Sequence, residues 1–186
     1  MTSRAGATAP ARGDVVVRRP RRTDGLAVKA LIDRCPPLDA NSLYCNLLQC
    51  THFAETSAVA ERDGEIAGFV SGYLVPGSAA RTIFIWQIAV ARELRGKKLA
   101  TQLILDILKR RCCADVRWIE STISPDNDAS WRLFEGLARD LGVRTWREVM
   151  FDRHRDFAGE HDSEIKINIG PISQAVLRLT ETSEVA

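Results

Sequence analysis

The apolar positions of this 186-residue chain recur with different periods along its length, and those periods predict its elements. Val15-Val16-Val17 is a short β-branched run that reads as a first strand. Leu26, Val28, Leu31 and Ile32 follow at helical spacing, with Asp24 placed to cap their helix. Cys35-Pro36-Pro37-Leu38 ends it, because proline disfavours helical geometry in the residue before it. A second helix is predicted from Asn41 or Ser42 to about His52, with Leu43, Leu47 and Leu48 on one face. Ser57 to Glu61 and Glu65 to Leu74 read as strands joined by Arg62-Asp63-Gly64, and Asp-Gly is a strong hairpin signal. Thr82 to Val90 is apolar nearly throughout, as expected of a strand buried on both faces.

Beyond Val90 the period lengthens again. Leu99, Leu103, Ile104, Ile107 and Leu108 predict a helix from about Lys97 to Arg111, followed by a strand from Val116 to Ser121. Pro125 to Leu141 reads as a helix closed by Gly142, and Val143 to Phe151 as a strand. Glu164 to Ile169 alternates cleanly, with Ile165, Ile167 and Ile169 on one face. The order is one strand, two helices, three strands, helix, strand, helix and two strands, which predicts an α/β mixed sheet. Residues 15–170 are expected to form one domain. Met1 to Asp14, small and polar, is expected to be a disordered tail; 171–186 reads as a tail or a short docking helix through Ile172, Val176, Leu177 and Leu179.

Composition narrows the functional classes. At 45% hydrophobic and 27% charged, the chain can bury a real core. Its 26 basic residues are nearly matched by 24 acidic ones, so no bulk nucleic-acid partner is expected, and Arg18, Arg19, Arg21 and Arg22 read as a solvated edge. No apolar stretch approaches the roughly 20 residues of a membrane span, and the N-terminus lacks a secretory h-region. Five irregularly spaced cysteines fit reduced thiols in a cytoplasmic protein. Cys45, Cys50 and His52 suggest a metal only superficially: the two cysteines point away from each other on a helix and a fourth ligand is missing. No metal is expected.

The stretch Ile85-Trp86-Gln87-Ile88-Ala89-Val90, then Ala91 to Leu94, then Arg95-Gly96-Lys97-Lys98-Leu99-Ala100 carries the chemistry. A buried strand ends in a basic, glycine-containing turn that opens into a helix. The first turn of a helix offers free backbone N–H groups and the positive end of its dipole, so this turn suits a pyrophosphate. The alternative is an ordinary connection whose basic residues face solvent. With the strand and helix that follow, the segment resembles the GCN5-related N-acetyltransferase superfamily, whose turn reads Arg/Gln-x-x-Gly-x-Gly/Ala. Arg95, Gly96, Leu99 and Ala100 match, whereas Lys98 stands where that pattern has glycine. The resemblance implies a mostly antiparallel sheet flanked by helices, with acetyl-CoA in a wedge between two parallel strands. It implies that Ile88, Ala89 and Val90 hold the pantetheine arm, that Arg95 to Ala100, including Lys97 and Lys98, hold the pyrophosphate, and that Asn127 and Ser130 line the cofactor further along. Phe134 stands where many members have a tyrosine that protonates the leaving thiolate.

A narrower resemblance lies in Pro37-Leu38-Asp39-Ala40-Asn41-Ser42-Leu43-Tyr44-Cys45-Asn46-Leu47-Leu48-Gln49-Cys50, supported by Thr56 to Glu61, Gly68 to Tyr73 and Trp86 to Val90. These are similar to the diaminobutyrate acetyltransferases of ectoine biosynthesis. That implies acetyl transfer to the 4-amino group of L-2,4-diaminobutyrate, and a homodimer. A substrate with two ammonium groups needs acids and an aromatic face. Asp39 suits an ammonium, Tyr44 can stand beside it, and Trp86 can receive a cation on its ring. Glu160 and His161, in a charged loop, complete the expected substrate contacts; Glu160 and Tyr44 are the catalytic candidates, with His161 or Asp39 through water also able to take the amine proton and release of CoA as thiolate the alternative to Tyr44. Each also has an ordinary structural role open to it: Asp39 as a helix cap, Trp86 as core, Glu160-His161 as solvated surface. Two other functions remain open at this stage: acetylation of another amine, and a non-catalytic acyl-CoA-binding module.

Overall fold

A computed structural model describes residues 13–36, 38 and 41–173. The elements are β1 (Val15–Arg18), α1 (Gly25–Asp33), α2 (Leu43–Gln49), β2 (Ala58–Arg62), β3 (Glu65–Leu74), β4 (Thr82–Val90), α3 (Leu99–Leu108), β5 (Trp118–Ile123), α4 (Asp128–Leu141), β6 (Arg144–Phe151) and β7 (Glu164–Gly170). They form one seven-stranded sheet in the order β1-β2-β3-β4-β5-β7-β6. Every neighbouring pair is antiparallel except β4 and β5. The mixed, mostly antiparallel sheet is the expected one. The expected tail before Gly13, and the possible docking helix beyond Ser173, lie outside the described residues.

Helices cover the sheet on two faces. Leu99, Leu103, Ile104 and Ile107 of α3 and Phe134, Leu137 and Leu141 of α4 pack with Ile83, Ile85, Ile119, Ile123, Ile167 and Ile169 in the larger core. Of the isoleucines that alternate along β7, Ile167 and Ile169 are buried and Ile165 is partly buried against them. On the opposite face Val28, Leu31 and Ile32 of α1 meet Val59, Ile66, Phe69 and Ala89. Leu26, expected to join them, is 68% exposed.

Two helical details depart from expectation. The Asp24 side chain makes no cap hydrogen bond to α1. Its carboxylate instead accepts from the backbone N–H of Arg21 at 2.6 Å and from the Arg18 guanidinium at 2.7 and 3.0 Å. The second departure is in α2, which starts where Ser42 accepts from the Cys45 N–H at 3.1 Å. Here the leucine face is not the buried one. Asn46 and Gln49 are fully buried, whereas Leu43 is exposed and Leu47 and Leu48 are half-buried.

Candidate active site

The parallel ladder between β4 and β5 is short. It pairs Thr82 with Trp118, Ile83 with Ile119 and Phe84 with Glu120, and no pair follows. Beyond that point the two strands splay toward their C-terminal ends. At the apex the Ser121 hydroxyl donates to the Ile85 carbonyl at 2.9 Å, replacing the next rung of the ladder.

β4 is itself irregular there. Ser71 pairs with Gln87 but Gly72 pairs with Ile85, so Trp86 is an extra residue on β4, a β-bulge. The strand is thus not buried on both faces throughout: Trp86 is 47% exposed. The bulge disrupts the local ladder and leaves Trp86 without a residue opposite it on β3.

A cavity of about 190 Å³ occupies the splayed region, lined among others by Trp86 and Ile88 of β4, Ser121 and Thr122 of β5, and Ser130 and Phe134 of α4. Asn127, which also lines it, accepts the Ser130 N–H through Oδ1 at 3.1 Å and so starts α4. Leu38, Asn41 and Gln87 close the side toward α2, where the Asn41 amide donates to Gln87 Oε1 at 2.8 Å. Sequence reasoning did not single out Asn41, Gln87, Ser121 or Thr122. Gln87 had a signal, as the only polar side chain between Ile83 and Val90.

The residues expected to hold the cofactor differ in where the fold places their side chains. Ile88 reaches the cavity, whereas the Ala89 side chain lies in the core beneath α1, leaving only its backbone for a ligand. Val90 ends the strand, and its carbonyl accepts from Arg95 Nε at 3.0 Å, which folds the basic turn back onto β4. Gly96 has φ 75° and Lys98 φ 58°. Lys98 holds the left-handed conformation that glycine adopts at no steric cost, which is the physical sense of a glycine in the superfamily pattern. It does so with its ammonium 3.2 Å from Asp140 of α4. No side chain caps α3, so the N–H groups of its first turn stay available for an anion. Leu99 is buried below them, Ala100 is half-buried, and Arg95 and Lys97 are exposed around them.

The expected substrate residues are less closely gathered. Asp39 lies outside the described residues. Tyr44 is 71% exposed on the first turn of α2. Glu160 and His161 are exposed in the 152–163 loop, where His161 Nδ1 lies 2.7 Å from the Asp162 carbonyl and its ring meets Phe157. Register places that loop: Glu164 pairs with Phe151, and Ile165 with Ile123, the last residue of β5. The Ser124 hydroxyl also meets the Glu164 carboxylate at 3.2 Å. The loop therefore stands at the end of the sheet toward which the wedge opens.

A strand pair that splays at a bulge beside an uncapped helix N-terminus can hold an extended thioester and present its carbonyl to backbone N–H groups. The acetyltransferase (GNAT) family profile matches residues 17–138. The chain belongs to the GNAT acetyltransferase family. Within that family its relatives are specific. It is 46% identical to L-2,4-diaminobutyric acid acetyltransferase of Methylotuvimicrobium alcaliphilum, over 84% of this chain and 91% of that protein. It is 42% identical to the enzyme of the same name from Halomonas elongata, over 83% and 80%. Among solved structures it superposes on the diaminobutyrate acetyltransferase of Paenibacillus lautus, in complex with L-2,4-diaminobutyric acid and coenzyme A. The TM-score is 0.80 at 37% identity, covering 86% of this chain and 96% of that one. The NatC complex bound to Gag peptide and CoA matches with a TM-score of 0.67 at 16% identity, a likeness of fold alone.

Proposed function

We infer that this GNAT protein transfers acetyl from acetyl-CoA to the 4-amino group of L-2,4-diaminobutyrate, giving N4-acetyl-L-2,4-diaminobutyrate in ectoine biosynthesis. The observation that carries the reading is the hydrogen bond from Asn41, a residue of the 37–50 segment, to Gln87 beside the β4 bulge at the mouth of the wedge. It brings the stretch that resembles diaminobutyrate acetyltransferases to the place where a thioester would lie.

The chain's own groups divide the work. The α3 N-terminus with Arg95 and Lys97 holds the pyrophosphate, and the β4 edge around Ile88 and Val90 holds the pantetheine arm. Acetyl-CoA supplies the activated acyl group. Asp39, Tyr44 and Trp86 hold the charged end of the amino acid, with Glu160 and His161 closing over it from the 152–163 loop. The attacking amine, with a pKa of about 10.4 like that of lysine, must first lose a proton, and Glu160 is assigned as its acceptor, directly or through water. Backbone N–H groups at the β4 bulge stabilise the oxyanion. Phe134 lines the cavity but has no proton to give. Tyr44 is assigned to protonate the thiolate.

The same reading includes a cytoplasmic homodimer. It is supported by β6, an edge strand exposed along its whole length that carries Trp146, Val149, Met150 and Phe151 outward. Such a row invites pairing, and a second copy of this chain is its proposed occupant.

Thiol release from acetyl-CoA tests the activity. Release with diaminobutyrate, and little with a polyamine, an aminoglycoside or no amine, is the expected result. Equal release with another amine would replace the substrate, and none with any amine would leave an acyl-CoA-binding module. Asp39→Asn sharpens the test. Loss of one charge-assisted hydrogen bond, about 1.5–3 kcal/mol, should lower kcat/KM for diaminobutyrate about tenfold or more and leave acetyl-CoA affinity unchanged.

A further inference from the structure

The buried face of α2 is made of amides. Asn46, Gln49 and Ser71 beneath it are each 0% exposed, and Gln87 is 8% exposed. They join in sequence. Asn46 Nδ2 donates to Gln49 Oε1 at 2.9 Å, and Gln49 Nε2 donates to the Ser71 hydroxyl at 3.3 Å. Ser71 is the β3 partner of Gln87, whose Oε1 accepts from Asn41 at 2.8 Å. The segment entering α2 is thus tied to β4 at Asn41, and the far end of the helix is tied to β3 at Gln49.

Stability alone does not favour this arrangement. Burying an amide gains little over burying an apolar side chain of the same shape, and it costs heavily if a partner is missed. Asn46 Oδ1 is left buried without a hydrogen-bond partner. Meanwhile Leu43, Leu47 and Leu48 of the same helix are held partly or largely in solvent. A leucine face could slide or rotate on the sheet with little change in energy. An amide face is satisfied at one rotation and one height only.

We propose that Gln49 and Ser71, with Asn41 and Gln87, are positioning residues that set α2 at one height above the Trp86 bulge. They thereby fix which amine of the substrate meets the thioester. The inference rests on the substrate reading above. Gln49 and Ser71 touch no substrate. They act through Tyr44, which the first turn of α2 carries.

The test uses the full-length chain as Gln49→Met, Ser71→Ala and the double variant, read by melting temperature, steady-state kinetics and product analysis. Ser71→Ala leaves the Gln49 amide without its acceptor, Gln49→Met leaves both the Ser71 hydroxyl and Asn46 Nδ2 without a partner, and the double variant leaves Asn46 Nδ2 alone. The expected result is a melting temperature lowered most in Gln49→Met and partly regained in the double. In all three, kcat/KM for diaminobutyrate falls about tenfold while acetyl-CoA KM stays within about twofold. A measurable fraction of product acetylated at the 2-amino group appears in the double, and Ser71→Thr, which keeps the hydroxyl, restores both rate and regiochemistry. If activity returns together with melting temperature in the double, with product still acetylated only at the 4-amino group, the residues are merely structural and the proposal is overturned. Crystal structures of Ser71→Ala and the double variant test the same point without substrate. A shift of α2 along β4 is expected, and α2 unmoved in both overturns the proposal. An inactive wild-type chain with α2 displaced in the variants would instead refute the substrate reading alone.

Discussion

The Ser121 hydroxyl and the Ile85 carbonyl, 2.9 Å apart, close the apex of the wedge where backbone pairing between β4 and β5 has stopped. Both residues are buried, so the bond is shielded from water. Ser121→Ala should cost about 1 kcal/mol of stability, the net worth of a typical hydrogen bond. It should also let the strands part further, raising acetyl-CoA KM by about fivefold, the factor that 1 kcal/mol represents. Chemical denaturation and steady-state kinetics on one sample check both numbers.

Lys98 is informative because it breaks a pattern. Its φ of 58° is sterically unfavourable by about 1–2 kcal/mol for a residue with a Cβ, and its exposed ion pair with Asp140 returns at most about 1 kcal/mol. Lys98→Gly should therefore leave stability within about 1 kcal/mol of the parent and acetyl-CoA affinity within about threefold, because the N–H groups of α3 are unchanged. Lys98→Asp tolerates the backbone but sets an anion beside the proposed pyrophosphate site. Its acetyl-CoA Kd should rise by about fivefold or more at low salt, measured by calorimetry.

Much of this was legible in the residues, and what was not has physical reasons. The isoleucine alternation of β7 and the leucine spacing of α3 report burial directly, because the period follows from which side faces the core. The Trp86 bulge is a property of pairing with β3, and a strand's own pattern does not record its partner's register. The amide face of α2 was hidden for a related reason. Leu43, Leu47 and Leu48 look like the core face until the polar groups on the sheet below, Ser71 and Gln87, are known. The shape of the turn at Arg95 to Ala100 was readable because the role proposed for it lies in backbone geometry, which a glycine and a following helix announce. Glu160 and His161 are surface residues, and only the register of β6 and β7 shows which end of the sheet they occupy.

Acid should loosen the edge near β1 only at low pH. Burial pushes Asp24 up, but hydrogen bonds from Arg18 and the Arg21 N–H outweigh it and hold its pKa below the ordinary 3.8. A carboxylate depressed on folding contributes stability that is fully present above its unfolded pKa and is lost as pH falls through the folded value. Stability from this group should be flat between pH 7 and 5 and decline below about pH 4. Asp24→Asn should cost about 2 kcal/mol at pH 7, and its deficit should shrink on titration toward pH 2, as measured by urea unfolding.

The open edge of β6 gives a prediction about assembly. Val149→Asp places a charge in the exposed apolar row and touches neither the wedge nor the basic turn. Sedimentation velocity should show the parent as a dimer and the variant as a monomer across the micromolar range. Acetyl-CoA binding should survive, and a variant that remains dimeric would move the interface elsewhere.

Three ladder pairs, with the Ser121–Ile85 bond at their end, join β4 to β5 and so link two antiparallel halves of one sheet, β1 to β4 on one side and β5, β7 and β6 on the other. Such a seam is the natural place for the sheet to flex, because fewer residues are paired across it than between any other neighbouring strands. A thioester laid in the wedge touches both halves and supplies the cross-links that the backbone lacks. The site then behaves as a joint that its own ligand stiffens. The first substrate to bind would firm the floor on which the second is aligned, an ordering imposed by where the ladder ends rather than by any moving lid.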